Sequence, residues 1–132
     1  MKKKRILIVE DEYVAAANLE ECLLTSGYIV TEIIPDGETA ITKIEQNKPD
    51  LVMMDIKLNG KLSGTETAAI VKTRFNIPVI YLTAYSQESI MKQVRDSKPF
   101  GYLKKPFRKK ELLMALEIAF CRDSNEKKLF KQ

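Results

Sequence analysis

The chain has 132 residues, 45% of them hydrophobic and 30% charged, with a formal net charge of +4, which suits one soluble domain with a real core. It contains no histidine, which excludes a Ser-His-Asp triad, a histidine-ligated zinc site and a histidine phosphodonor within the chain. Only Ile6 to Val9 are apolar after the basic Lys2 to Arg5, too few for a signal sequence or a membrane span, so a cytoplasmic location is expected.

A first strand, β1, is predicted over 4–9, where Ile6-Leu7-Ile8-Val9 runs into Glu10-Asp11. Helix α1 follows over 12–26: Ala15, Leu19, Cys22 and Leu23 recur at helical spacing, and Gly27 is placed to end it in the left-handed conformation. Strand β2 is expected over 28–34 and helix α2 over 37–47, with Ala40, Ile41 and Ile44 facing inward. In β3, over 50–54, Leu51-Val52-Met53-Met54 leads into Asp55; α3 follows over 64–74 with Ala68, Val71 and Phe75 as its apolar face. Strand β4, over 77–82, leads into Thr83, and α4 is expected over 86–96 through Ile90 and Val94. Strand β5, over 100–103, runs into Lys104-Lys105-Pro106, and α5 over 108–121 carries Leu112, Leu116, Ala119 and Phe120. From Arg122 the sequence turns polar and unperiodic, so the folded unit is taken as 1–121 and residues 122–132 as a frayed tail or linker. Continuously apolar strands alternating with one-striped helices predict a parallel (βα)5 sheet in a three-layer α/β sandwich.

Cys22 and Cys121 lack a metal-binding or redox spacing and read as small buried apolar residues. The basic residues gather at Lys2 to Arg5, Lys104 to Lys110 and Lys127 to Lys131 with no recognition-helix or stacking motif. They read as solvated surface, and no direct nucleic-acid partner is expected.

In an open parallel sheet, ligands bind outside the carboxyl ends of the strands. Those ends carry Glu10, Asp11, Asp55, Thr83 and Lys105. A carboxylate at Asp55 is a nucleophile toward phosphorus, forming an aspartyl phosphate. Such a transfer depends on neutralising charge spread over three phosphoryl oxygens. Glu10 and Asp11 would repel that group unless a cation lay between, and an oxygen-only ligand set selects magnesium. Asp11 and Asp55 are the expected direct ligands, with Glu10 acting through water. Lys105 offers a point charge and Thr83 a hydroxyl to the phosphoryl oxygens. Pro106 allows a cis bond that turns the lysine back over the strand ends. Without the metal, the three acids should raise one another's pKa.

Ile-Leu-Ile-Val-Glu-Asp-Glu at 6–12, Pro-Asp-Leu-Val-Met-Met-Asp-Ile at 49–56, Pro-Val-Ile-Tyr-Leu-Thr-Ala at 78–84 and Gly-Tyr-Leu-Lys-Lys-Pro-Phe at 101–107 together resemble the receiver domains of two-component response regulators, of the chemotaxis-regulator type. The likeness runs from residue 4 to about 121. It implies a flavodoxin-like sheet of order 2-1-3-4-5, the order shared by flavodoxin and the chemotaxis receiver. It also implies Asp55 as phosphoacceptor, Glu10 and Asp11 as the acids for magnesium, and Lys57 as a carbonyl ligand to it. Thr83 and Tyr102 would be the switch pair, Lys105 the phosphoryl-facing lysine, and Lys57 and Tyr85 the positions that tune hydrolysis. The implied donor is a separate histidine kinase or phosphotransfer protein. The implied output is a downstream protein on the α4-β5-α5 surface, near Lys92, Gln93, Tyr102, Lys109 and Lys110. The chain departs from the family pattern at Asn59, where proline is usual, and in a β3–α3 loop one residue longer than usual.

Competing functions make distinct demands. A magnesium-dependent phosphohydrolase usually has a second acid two residues after its nucleophile, where this chain has Lys57. A flavin module on the same architecture needs phosphate-cradling loops where Glu10 and Asp11 stand. The expected activity is a self-phosphorylating and self-dephosphorylating switch, not a turnover enzyme. A stand-alone regulator and a receiver fragment of a hybrid histidine kinase both remain open, as does the oligomeric state.

Overall fold

A computed structural model describes residues 2–84 and 101–131. The predicted α4, with Tyr85, Lys92 and Gln93, lies outside the described residues. The elements are β1 (Arg5–Val9), α1 (Tyr13–Thr25), β2 (Ile29–Ile34), α2 (Gly37–Gln46), β3 (Leu51–Asp55), α3 (Gly64–Ile70), β4 (Val79–Thr83), β5 (Gly101–Lys104) and α5 (Lys109–Lys131). The five strands form one parallel sheet in the order β2-β1-β3-β4-β5. This is the flavodoxin-like topology the family resemblance implies.

The two-residue repeat of the strands divides the core into two halves. Ile6, Ile8, Leu51, Met53, Ile80 and Leu82 pack with Ala16, Leu19 and Leu23 of α1 and Leu112, Leu116 and Ala119 of α5. Their alternates Leu7, Val9, Val52, Met54, Val79 and Tyr81 pack with Ala40 and Ile44 of α2 and with Ala68 and Val71. The three layers are therefore α1 and α5, the sheet, and α2 and α3.

Several expectations change. On α1, Ala16 rather than Ala15 enters the core, because it lies on one stripe with Leu19 and Leu23, three and seven residues on. The helix ends as foreseen, with Gly27 at φ +91°, in the left-handed region that glycine occupies without strain. Beyond Ile70, α3 widens into a π turn over Val71–Phe75, and Asn76 closes it in the left-handed conformation. Cys121 is exposed, not buried, while Cys22 is partly buried. The frayed tail expected from residue 122 is helical as far as Lys131. That stretch contains no Gly or Pro, and Lys127 pairs with Asp123 one turn earlier at 2.9 Å, a spacing that supports an exposed helix. Among the described residues, no helix is long and apolar enough to cross a membrane.

Candidate functional site

Parallel registration brings the strand ends together. Val9 pairs with Met54, so Glu10 follows β1 beside Asp55. Asp55 pairs with Leu82 and Thr83 with Lys104, which sets Thr83 and Lys105 on the same rim. Asp55 and Thr83 are the last residues of their strands rather than the first residues beyond them. Glu10, Asp55 and Thr83 are buried polar residues, at 3%, 9% and 2% exposure. Burying such groups is costly unless each is paired.

The pairing centres on Lys105. Its ammonium hydrogen-bonds the Glu10 carboxylate and lies 3.4 Å from Asp55 Oδ2. The Lys105–Pro106 bond is cis, as the sequence allowed, and the Lys105 N–H donates to the Thr83 carbonyl at 2.6 Å. Backbone groups hold the acids from the other side. The Lys57 N–H donates to Asp55 Oδ1 at 3.1 Å, and the Glu12 N–H donates to Glu10 Oε2 at 3.3 Å. Lys104 points to solvent, as strand alternation requires.

Glu10, Asp11 and Asp55 each offer a carboxylate oxygen, all within 4.8 Å of one another. Three hard oxygen donors at that spacing suit a divalent cation of the magnesium or calcium class. Burial, and then the hydrogen bond and charge of Glu10, push the Asp55 carboxyl up to about 7 against the opposing pull of Lys105. The mutual rise expected of the acids does not extend to Glu10. Burial raises its pKa, but the hydrogen bonds from Asp55 and Lys105 and the lysine charge outweigh burial and leave it lowered. Within this pair Asp55 is raised and Glu10 lowered, because the Lys105 ammonium bonds directly to the Glu10 carboxylate. Lys105 is held charged: burial opposes its ionisation, and its bond to Glu10 and the Asp55 charge overcome that.

An open cavity of about 420 Å³ gives access to these groups, lined by Asp11, Asp55, Lys57, Asn59, Ala84 and Lys105. Ala84 presents only a methyl group to the cavity. Tyr102 on β5 is 49% exposed.

A family model described as the response regulator receiver domain matches residues 6–117. The chain belongs to that family. The receiver is 36% identical over 119 residues to the transcriptional regulatory protein PdtaR of Mycobacterium tuberculosis, covering 90% of this chain and 58% of that protein. It is 30% identical to the DNA-binding response regulator MtrA of Mycobacterium leprae, covering 94% of this chain and 54% of that protein. It thus spans little more than half the length of these relatives. Among solved structures, the signal receiver domain of a modulated diguanylate cyclase from Desulfovibrio desulfuricans G20 superposes with a TM-score of 0.90 at 34% identity, covering 95% of this chain and 99% of that one. A response regulator receiver domain protein from Methanospirillum hungatei JF-1 gives a TM-score of 0.85 at 25% identity, with 95% and 99% covered. The receiver is accordingly a module of two-component signalling.

Sequence reading missed how the receiver's β3–α3 loop is held. Glu38 of α2 reaches across and accepts the Leu62 N–H at 2.6 Å. A Cβ added to Gly60, at φ +119°, would sit 3.0 Å from the same carboxylate. At the far end, Gly64 lies so close to β3 that an added Cβ would meet the Asp55 carbonyl oxygen at 2.2 Å. Ser63 caps α3 in a reciprocal box with Glu66. The two loop glycines were a legible signal of close approach, whereas nothing in sequence pointed to Glu38.

Proposed function

We propose that this receiver takes a phosphoryl group onto Asp55 from a phosphohistidine on a separate kinase or phosphotransfer protein. The observation that carries the reading is a buried Asp55 carboxylate set between two further acids and a lysine. In the transfer, an Asp55 oxygen forms a bond to phosphorus as the donor's P–N bond breaks, and that bond's electron pair returns to the imidazole.

Asp11 and Asp55 would hold Mg2+ directly, with the Lys57 carbonyl, and Glu10 would hold it through water. When bound, the ion supplies positive charge that offsets the carboxylates and the incoming phosphoryl oxygens. Lys105 already stands between Glu10 and Asp55, so a small swing exchanges a carboxylate for a phosphoryl oxygen. Thr83 donates its hydroxyl to another oxygen, and Tyr102 turns inward from its exposed position to follow it. Lys57, at the cavity mouth, and Tyr85 set the lifetime of the phosphorylated state. The consequence is a changed α4-β5-α5 surface, read by a downstream protein in the cytoplasm. Stoichiometric rather than catalytic consumption of the phosphodonor distinguishes this switch from a phosphohydrolase.

Intact-protein mass spectrometry after treatment with acetyl phosphate and magnesium tests the assignment. Wild type is expected to gain one phosphoryl group and Asp55→Asn none; an equal adduct on both removes Asp55 as the acceptor.

A further inference from the structure

The β3–α3 loop leaves the sheet at Ile56 and returns to it at Gly64, whose N–H donates to the Ile56 carbonyl at 3.0 Å. One side of it faces the chemistry: the Lys57 N–H donates to Asp55 Oδ1, and Asn59 lines the cavity beside Lys57. Little in the loop's own sequence fixes that approach. It contains no proline, Lys57, Asn59, Gly60 and Lys61 are exposed, and Gly60 sits at φ +119°. A segment of that kind loses conformational freedom when a ligand orders it, unless the fold has ordered it beforehand.

A restraint comes from α2. Asp36 caps that helix by accepting the Thr39 N–H at 2.8 Å, and Gly37 lies so close to α3 that an added Cβ would meet Thr67 Oγ1 at 2.0 Å. Thr67 is fully buried, and its hydroxyl donates to the Ser63 carbonyl at 2.8 Å. The first turn of α2 is thus seated on the start of α3, and Glu38 follows Gly37 on that support. Its carboxylate accepts the Leu62 N–H at 2.6 Å and stands against Gly60. An ionised acceptor makes this bond stronger than one between neutral groups.

We propose that Glu38 is a positioning residue for the cation site: by holding Leu62, it keeps the Lys57 backbone over Asp55 before an ion arrives. It touches neither the ion nor the phosphoryl group. The inference rests on the reading of Asp55 as a magnesium-dependent phosphoacceptor, and adds to it a residue from a helix that contributes no ligand. Its signature lies in affinity for the ion, not in the transfer once the ion is bound.

The test is isothermal titration calorimetry of Mg2+ into the full chain, without phosphodonor. Glu38→Ala is expected to weaken binding about tenfold. Glu38→Gln retains an oxygen able to accept the Leu62 N–H and should keep most of the affinity, which separates the hydrogen bond from the charge. Ile44→Val removes a core methyl group from the same helix; it should bind as wild type does, and so controls for loosening of α2. With acetyl phosphate, Glu38→Ala should need about tenfold more magnesium for half-maximal phosphorylation and reach the wild-type rate at saturation. Circular dichroism of each variant checks that the fold is intact. Wild-type affinity in Glu38→Ala overturns the proposal, as does an equal loss in Glu38→Gln or Ile44→Val. Failure of the phosphoacceptor reading looks different: wild type itself would then take up neither magnesium nor a phosphoryl group, which would remove both.

Discussion

Asp55 is the residue on which chemistry and stability pull apart. Its folded pKa of about 7 lies above its ordinary 3.8, so between those values the folded chain holds more protons than the unfolded one. Folding stability from this group therefore falls as pH rises from about 4 to about 7. In magnesium-free buffer, Asp55→Asn is expected to be more stable than wild type at pH 8, by about 1–3 kcal/mol, with the gap closing below pH 4. Urea melts across that range would contradict the account if both proteins showed the same pH slope. The residues of this site were legible because strand ends concentrate function in a parallel sheet, and Glu10, Asp11, Asp55, Thr83 and Lys105 stand at four such ends. Their ionisation was less legible. Sequence suggested three acids raising one another, whereas Lys105 pairs with Glu10, which is lowered while Asp55 is raised.

At the scale of elements, the β3–α3 loop is fastened where it enters α3, by Glu38 at Leu62 and by Gly64 against β3. Glu38→Ala is expected to cost about 1 kcal/mol and to speed hydrogen exchange at the Leu62 amide, while amides in β1 keep their protection. Gly64→Ala forces a methyl group against the Asp55 carbonyl. A loss of about 3 kcal/mol or more in a denaturant melt is expected, with weaker phosphorylation because the nucleophile's own strand end must move. Among the described residues, strand and helix identities followed from apolar runs and helical spacing, and boundaries moved by one or two residues except at the ends of α3 and α5. The continuation of α5 was hidden because its outer turns bury little. Their helicity is supported by the Lys127–Asp123 pair and by the absence of Gly and Pro, which a search for apolar period does not register.

Across the whole molecule, the sheet lies between two clusters of buried apolar residues. Ile8 packs with α1 and α5, and Ile44 with α2 and α3. Ile8→Val and Ile44→Val should each cost about 1 kcal/mol, and the double variant should lose the sum to within about 0.5 kcal/mol. A coupling well above that in urea melts would mean the layers repack together. The sheet also has a consequence for the acids at its rim. Glu10 and Asp55 are 45 positions apart in sequence and become neighbours only because β1 and β3 pair as Val9 with Met54. A slip of one residue would turn the Asp55 side chain to the opposite face. Cation affinity in this chain is thus a gauge of strand alignment, and titrating the metal during refolding would time the moment at which β1 and β3 find each other.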